Sequence, residues 1–364
     1  MKRVTSMLLC LLMLFSISAF ALPNPSSSSE TVESDSALEY AQIHLSNTLP
    51  FLKEDELSFL PEDASVSLGS KIAMYDSTLT PLPYSAYPVF YENDVIAIAT
   101  VTEDEFGEKN FQVGMQFANE LSDFIQEEEN NQIAVIVEED SICLINSQNE
   151  SVMISNSETS NVPSSSALPN GSANLSTSVI SPSVSVSAAL VTRSGTDSGT
   201  VPVKYVPQGN HPLCWASCMA SIVNYYKGTN YGATQIANTV AHYNGQGEYT
   251  GATIEECAYW YNSTYNIISH QSNSKLSYDT VYSNASNGKP IHAFCSNYTN
   301  PSDDGHYVVV RGCYISNSVV YYRIMNPWSP SSGGGLLVVQ MRSDGSFDIV
   351  GDDTFRQNKY LYFS

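Results

Sequence analysis

The stretch Gln208-Gly209-Asn210-His211-Pro212-Leu213-Cys214-Trp215-Ala216-Ser217-Cys218 decides how the chain is read. Pro212 has the fixed φ suited to a first helical turn, the residues after it continue to Tyr226, and Gly228 stands where a helix would stop. A helix over 212–226 is therefore expected. It would place Cys214 in the first turn, where unpaired backbone N–H groups and the helix dipole favour a thiolate. Such a position, with an imidazolium nearby, lowers a cysteine pKa from about 8.5 to roughly 3.5–7.5 and makes the sulfur a nucleophile at neutral pH. Its attack on a carbonyl would create an oxyanion, which needs hydrogen-bond donors. Gln208, upstream on the loop feeding the helix, can bring its side-chain amide beside the Cys214 N–H to form that pair.

Downstream, Thr253-Ile-Glu-Glu256 matches a capping box opening a second helix through Trp260 and Tyr261, and a third is expected from Ser277 to about Ala285. Strand-like runs follow at 290–294, 306–312, 319–325, 336–341 and 360–363. Helices first and a mostly antiparallel sheet afterwards define an α+β fold class. A nucleophile needs a base, and the base needs a group to hold it. His306 opens the apolar run Tyr307-Val-Val-Val310 and Asn326 ends the run from Val319 to Met325, so neighbouring strands can present both at one sheet edge. Trp328 could shield their hydrogen bond from water.

Gln208, Cys214-Trp215, Gly305-His306 at the head of a strand and Asn326-Pro327-Trp328 at the end of the next resemble papain-like cysteine peptidases. Within that family the resemblance points to the bacterial secreted branch, the staphopain-like and C39-like enzymes, and it covers roughly residues 203–364. The resemblance implies Cys214 as nucleophile, His306 as general base and acid, Asn326 as the residue orienting the imidazole, and Gln208 as oxyanion donor. It also implies a cleft between a helical and a sheet subdomain, a protein or peptide substrate, and a precursor whose N-terminal region acts as an intramolecular inhibitor of that cleft. Residues 229–275 have no counterpart that can be aligned.

Upstream the chain changes character. Residues 1–21 have the basic start Lys2-Arg3, an apolar run from Met7 and the ending Ala19-Phe20-Ala21, the pattern of a signal peptide. The run is shorter than the ~20 residues of a membrane-spanning helix, so export to the outside of the cell, with no membrane span, is expected. Residues 22–195 carry 26 acidic against 4 basic side chains and residues 196–364 carry 11 against 9. Two folded units of different charge are therefore expected: an acidic pro-domain over 22–150 with a small α+β fold, and the peptidase domain over 203–364. Within the first, a helix is expected at 38–52, strands at 87–91, 95–101, 133–137 and 141–145, and an amphipathic helix from Phe111 to Glu127. The Ser- and Thr-rich stretch 151–202 reads as a linker open to proteases.

The net charge of −22 excludes nucleic acid as the main partner, because phosphate binding needs clustered Lys and Arg. Cys214 and Cys218 lie one turn apart with no second pair at ligand spacing, so no metal is expected, and Cys218 reads as a core thiol. The run Gly333-Gly-Gly335 lacks the Lys-Ser/Thr of a phosphate loop, and no cofactor is expected. His292 and His211 are the rival histidines, the first on a strand and the second at a helix start. Alternatives that keep the fold are a peptidoglycan amidase, an acyltransferase using the same thioacyl chemistry, and a catalytically inactive surface-binding protein. The Asp-Cys-Ser-Gly context usual in peptidoglycan amidases is absent.

Overall fold

The computed structural model describes residues 35–364 apart from 116, 128–131, 139–140, 149, 156–174, 189–196, 210, 245, 299–304, 329–333 and 351–353. The expected signal peptide lies outside the described residues, as does most of the Ser- and Thr-rich stretch. The helices are α1 (Ser36–Leu52), α2 (Ala118–Glu127), α3 (Cys214–Lys227), α4 (Ala233–Val240), α5 (Ile254–Ser263) and α6 (Tyr278–Ser286). Their ends follow local chemistry. Asp35 caps α1 by accepting from the N–H groups of Ala37 and Leu38, Thr253 and Glu256 form the expected reciprocal box at α5, and Gly228 ends α3 in the left-handed conformation. Helix α3 begins at Cys214 rather than Pro212, so the thiol sits at the very first helical position.

The strands in the N-terminal half are β1 (Val66–Gly69), β2 (Ala73–Tyr75), β3 (Tyr84–Tyr91), β4 (Asp94–Glu103), β5 (Lys109–Gly114), β6 (Gln132–Glu138), β7 (Ser141–Asn146), β8 (Ser151–Ser155), β9 (Ser178–Val179) and β10 (Pro182–Val186). The C-terminal half supplies β11 (Ser269–Ser272), β12 (Ile291–Asn297), β13 (His306–Ser316), β14 (Val319–Asn326), β15 (Gly335–Gln340), β16 (Asp348–Val350) and β17 (Thr354–Phe363). Alternation along β13 sorts its side chains. Tyr307 and Val309 join the core beneath α3 and α5, with Trp215, Met219 and Tyr261, while Val308 and Val310 join the core on the α6 side, with Ile291, Ile324 and Phe347. Helices on one side and an antiparallel sheet on the other give the α+β architecture expected for the C-terminal half.

The halves are not separate bodies. One large sheet runs in the order β10-β1-β3-β4-β5-β15-β14-β13-β12-β17-β11, with β16 paired to β17. Its middle junction is the antiparallel pair β5·β15, with Gln112, Val113 and Gly114 opposite Val339, Val338 and Leu337. The expected helix from Phe111 is thus a strand up to Gly114, and only 118–127 is helical: Phe111 and Val113 alternate toward one buried face, and Gly114 lets the partner strand close in. A Cβ at Gly114 would fall 2.2 Å from the Leu337 side chain. Residues 35–364 form one compact unit, where two differently charged units were expected.

The physical reason is complementary burial. Leu45, Leu49 and Phe51 of α1 share a core with Tyr314, Tyr321 and Val338 of the C-terminal sheet, and the Phe51 and Tyr314 rings stack with centroids 3.8 Å apart. The stretch expected as a linker divides between the halves. β10 pairs with β1, whereas Asp197 pairs with Arg323 at 2.8 Å and the Val201 N–H donates to the Arg311 carbonyl.

Candidate functional site

The extended residues 201–208 set the site by being pinned from two sides. On the α3 side the Ser217 hydroxyl donates to the Val206 carbonyl, and the Ser221 hydroxyl to the Lys204 carbonyl at 2.6 Å. On the sheet side the Gln208 N–H donates to the Pro327 carbonyl at 2.8 Å, and the Tyr205 hydroxyl to the Trp328 carbonyl at 2.5 Å. Gln208 is thereby held beside the corner that follows Asn326. Its side-chain amide donates to the His211 carbonyl at 3.4 Å.

Cys214 is half-buried at the start of α3 with no acidic residue in that first turn, so the field there favours a thiolate. Cys218 is fully buried and burial pushes its thiol well above the usual range, as it does for Cys257 and Cys295. Those three are inert apolar groups. His306 is buried at the start of β13, between Gly305 and Tyr307 of the cleft lining, and its Nε2 lies 2.7 Å from Asn326 Oδ1. The Trp328 N–H also approaches Asn326 Oδ1, at 3.4 Å, which supports the assignment of that atom as oxygen. An oxygen acceptor there keeps the proton on Nε2 and leaves Nδ1 as the basic nitrogen. The Trp328 ring stacks on the imidazole with centroids 4.2 Å apart and Phe355 packs nearby, so the pair is screened from water as expected. Among the described residues no group of three or more His, Cys, Asp or Glu is placed to hold a metal.

The cleft has a volume of about 460 Å³ and is lined by Pro212, Cys214, Trp215, residues 250–255, Phe294, Gly305, Tyr307 and Lys359. Its rim loop is tied to both walls, for the Trp215 Nε1–H donates to the Thr250 carbonyl and the Tyr307 hydroxyl to the Ala252 carbonyl, each at 2.9 Å. Residues 250–255 fall in the stretch that could not be aligned, so this wall was missed. The capping box at Thr253 marked where α5 begins, but nothing local says that the loop before it faces Cys214. None of the described residues of the N-terminal half lines the cleft.

The rival histidines fall elsewhere. His211 is exposed with its ring against Tyr249, and His292 is fully buried, its Nδ1 3.2 Å from the Tyr261 hydroxyl. Gly305 bears directly on the site, because a Cβ there would lie 2.1 Å from the Phe294 ring and 2.7 Å from the Cys295 carbonyl. Gly305→Ala is expected to cost about 1–3 kcal/mol and to displace His306 at the same time. Urea unfolding together with rate measurements would show both losses; full activity would contradict the placement.

Burial holds three imidazoles neutral, His44 and His306 down to about 4 and His292 to about 3. The unfolded chain binds protons on them near pH 6.5 and the folded one does not, so stability falls as pH drops from about 6.5 toward 4. Glu56 opposes this, since burial raises it to about 7 against the pull of Arg311, and its contribution is lost as pH rises from about 4.5 through 7. With three groups against one, Cys214→Ala protein should lose roughly 1–3 kcal/mol per pH unit across that window, read from urea midpoints. A flat or rising profile would show the imidazoles to be charged in the fold.

A half-buried thiol at a helix N-terminus, on a cleft also lined by the two residues that flank an Asn-bonded histidine, is the arrangement of a cysteine-type hydrolase. Residues 200–347 match the Peptidase_C39 like family, a span that includes Gln208, Cys214, His306 and Asn326. Two solved structures are similar over part of their length. One comes from work on the mite allergens Blo t 1 and Der p 1, at 14% identity over 48% of this chain and 74% of that one, with a TM-score of 0.31. The other is digestive procathepsin L 3 of the Tenebrio molitor larval midgut, at 12% identity over 48% and 72%, with a TM-score of 0.30. No curated protein matches the chain.

Proposed function

We propose that the protein is a secreted cysteine endopeptidase made as a zymogen, which cleaves peptide bonds through a thioester on Cys214. The observation that carries the reading is the His306 Nε2 to Asn326 Oδ1 bond at 2.7 Å, since it turns the other imidazole nitrogen into the base of a thiol. Cys214 gives its proton to His306 Nδ1 and its thiolate adds to the scissile carbonyl. The Cys214 N–H and the Gln208 amide, swung from the His211 carbonyl, hold the oxyanion. The imidazolium then protonates the departing amine, and water, deprotonated by His306, hydrolyses the thioester and frees the thiol.

The open cleft, with an apolar floor of Trp215, Phe294 and Tyr307, suits an extended peptide. Secretion is supported by the first 21 residues, and among the described residues no helix is long and apolar enough to cross a membrane. Synthesis as a zymogen is supported by the order of acidic block, Ser- and Thr-rich stretch and peptidase domain. The test is a thiol-reactive peptide probe followed by peptide mapping, run beside assays on unfolded protein and on muropeptides. Labelling of Cys214 with protein cleavage is the expected result. Muropeptide release without protein cleavage would establish the amidase reading, and absence of labelling after cleavage of the stretch 151–202 would establish an inactive scaffold.

A further inference from the structure

We propose that the N-terminal half is a permanent structural half of the enzyme, so that a cut between Val186 and Asp197 produces a two-chain protein whose parts stay bound. The contacts that hold the acidic block in place after the covalent link is gone do not involve Cys214.

Three independent features hold it. The first is backbone pairing: β5 completes the β15 edge of the peptidase sheet, and that edge would otherwise present unpaired N–H and C=O groups. The second is a shared core. Tyr314, Tyr321 and Val338 are fully buried in one cluster with α1 and the N-terminal strands, and several polar groups inside the contact are matched, though the Tyr314 hydroxyl is not. The Tyr321 hydroxyl meets His44 Nδ1 at 2.8 Å, Asn317 donates to Asn47 at 2.6 Å, and the Tyr40 hydroxyl donates to Gln340 at 2.8 Å.

The third is charge. Arg311, 2% exposed, is held by Glu56 at 3.0 Å and Asp55 at 3.1 Å. Arg342, 4% exposed, is held by Asp104, by Glu108 at 2.8 Å, and by Asp348 of its own half at 2.8 Å. These are acids of the block that carries 26 of them, seated on arginines of the half that is nearly neutral. Departure of the block would strip the peptidase sheet of its cover and bare two arginines placed for buried partners. Nor does substrate need it gone, for the described residues lining the cleft all come from 212–359.

The cut separates the halves cleanly, because β10 belongs to the N-terminal sheet while Asp197 and Val201 are bonded to β14 and β13. The test uses the full chain carrying Cys214→Ala, with the recognition sequence of a specific endoprotease inserted after Arg193. Cleavage is first verified by mass under denaturing conditions. Native mass spectrometry and gel filtration are then expected to show one species of the uncut mass, unchanged at about 1 M salt because the ion pairs are buried. Hydrogen exchange at Leu337 and Val339 is expected to be the same before and after the cut.

Separation of the two pieces in native buffer, with the C-terminal piece still folded, would overturn the proposal. A second chain carrying Asp55→Asn and Glu56→Gln addresses the charge contribution. Its cut pieces are expected to dissociate at least tenfold faster, and an unchanged rate would show that these carboxylates do not hold the halves together.

Discussion

Replacing Cys214 by alanine is expected to lower the turnover of an unfolded protein substrate by roughly 10⁴–10⁶-fold, because without the thiolate no covalent intermediate forms. The fold should be nearly indifferent to the change. Cys214 is only half-buried at a helix start, and loss of one sulfur there leaves the core beneath α3, from Trp215 to Val223, intact. Unfolding midpoints of variant and parent should agree within about 1 kcal/mol. His306→Ala should cost a comparable factor, and the double variant no more than either single one, since nucleophile and base act as a unit. Additive losses in kcat/KM would mean that His306 acts on something other than the thiol. Retained turnover in Cys214→Ala would remove the sulfur from the mechanism altogether.

The largest effect on stability is expected at Arg342, far from the thiol. Arg342→Met removes the cation that holds Asp104, Glu108 and Asp348 together where the two halves meet. Asp104 and Asp348 have side chains 7% and 2% exposed, so they would be left as buried carboxylates with less compensation. Arg356, bonded to Asp348 at 2.9 Å, keeps part of that balance. Breaking one partner out of a buried network costs about 3–5 kcal/mol, a fall in melting temperature of roughly 4–7 °C for a unit this large. Thermal unfolding of Arg342→Met in the Cys214→Ala background checks it. Arg342→Lys should recover only part of the loss, because an ammonium cannot reproduce the fork that serves several carboxylates at once. A shift below about 1 kcal/mol would show the cluster to be solvated.

The placement of the candidate residues was largely legible because its signals are local. Pro212 before Cys214, the apolar run after His306 and the corner Asn326-Pro327-Trp328 each declare a helix start, a strand and a strand end within a few residues. The structure adds only the fine placement, with Cys214 at the first helical position and the His306 to Asn326 bond at 2.7 Å. The opposite cleft wall was not legible. Residues 250–255 form a loop whose position depends on bonds from Trp215 and Tyr307, residues far away in sequence.

The joining of the halves was the least legible of all. Phe111 to Gly114 is short and apolar and leads into a true helix at 118–127, so its period was read as one long helix. Only the partner strand 335–340, more than two hundred residues away, makes it the junction of the sheet. By itself the sequence determined the local placements: a thiol at a helix start, an imidazole and an amide on adjacent strands, and acid concentrated in the first half. The tertiary structure alone decided where that acid goes. Buried arginines at 311 and 342 need carboxylates, β15 needs a strand at its edge, and both are satisfied by the N-terminal half because pairing and desolvation are decided by contacts between distant residues.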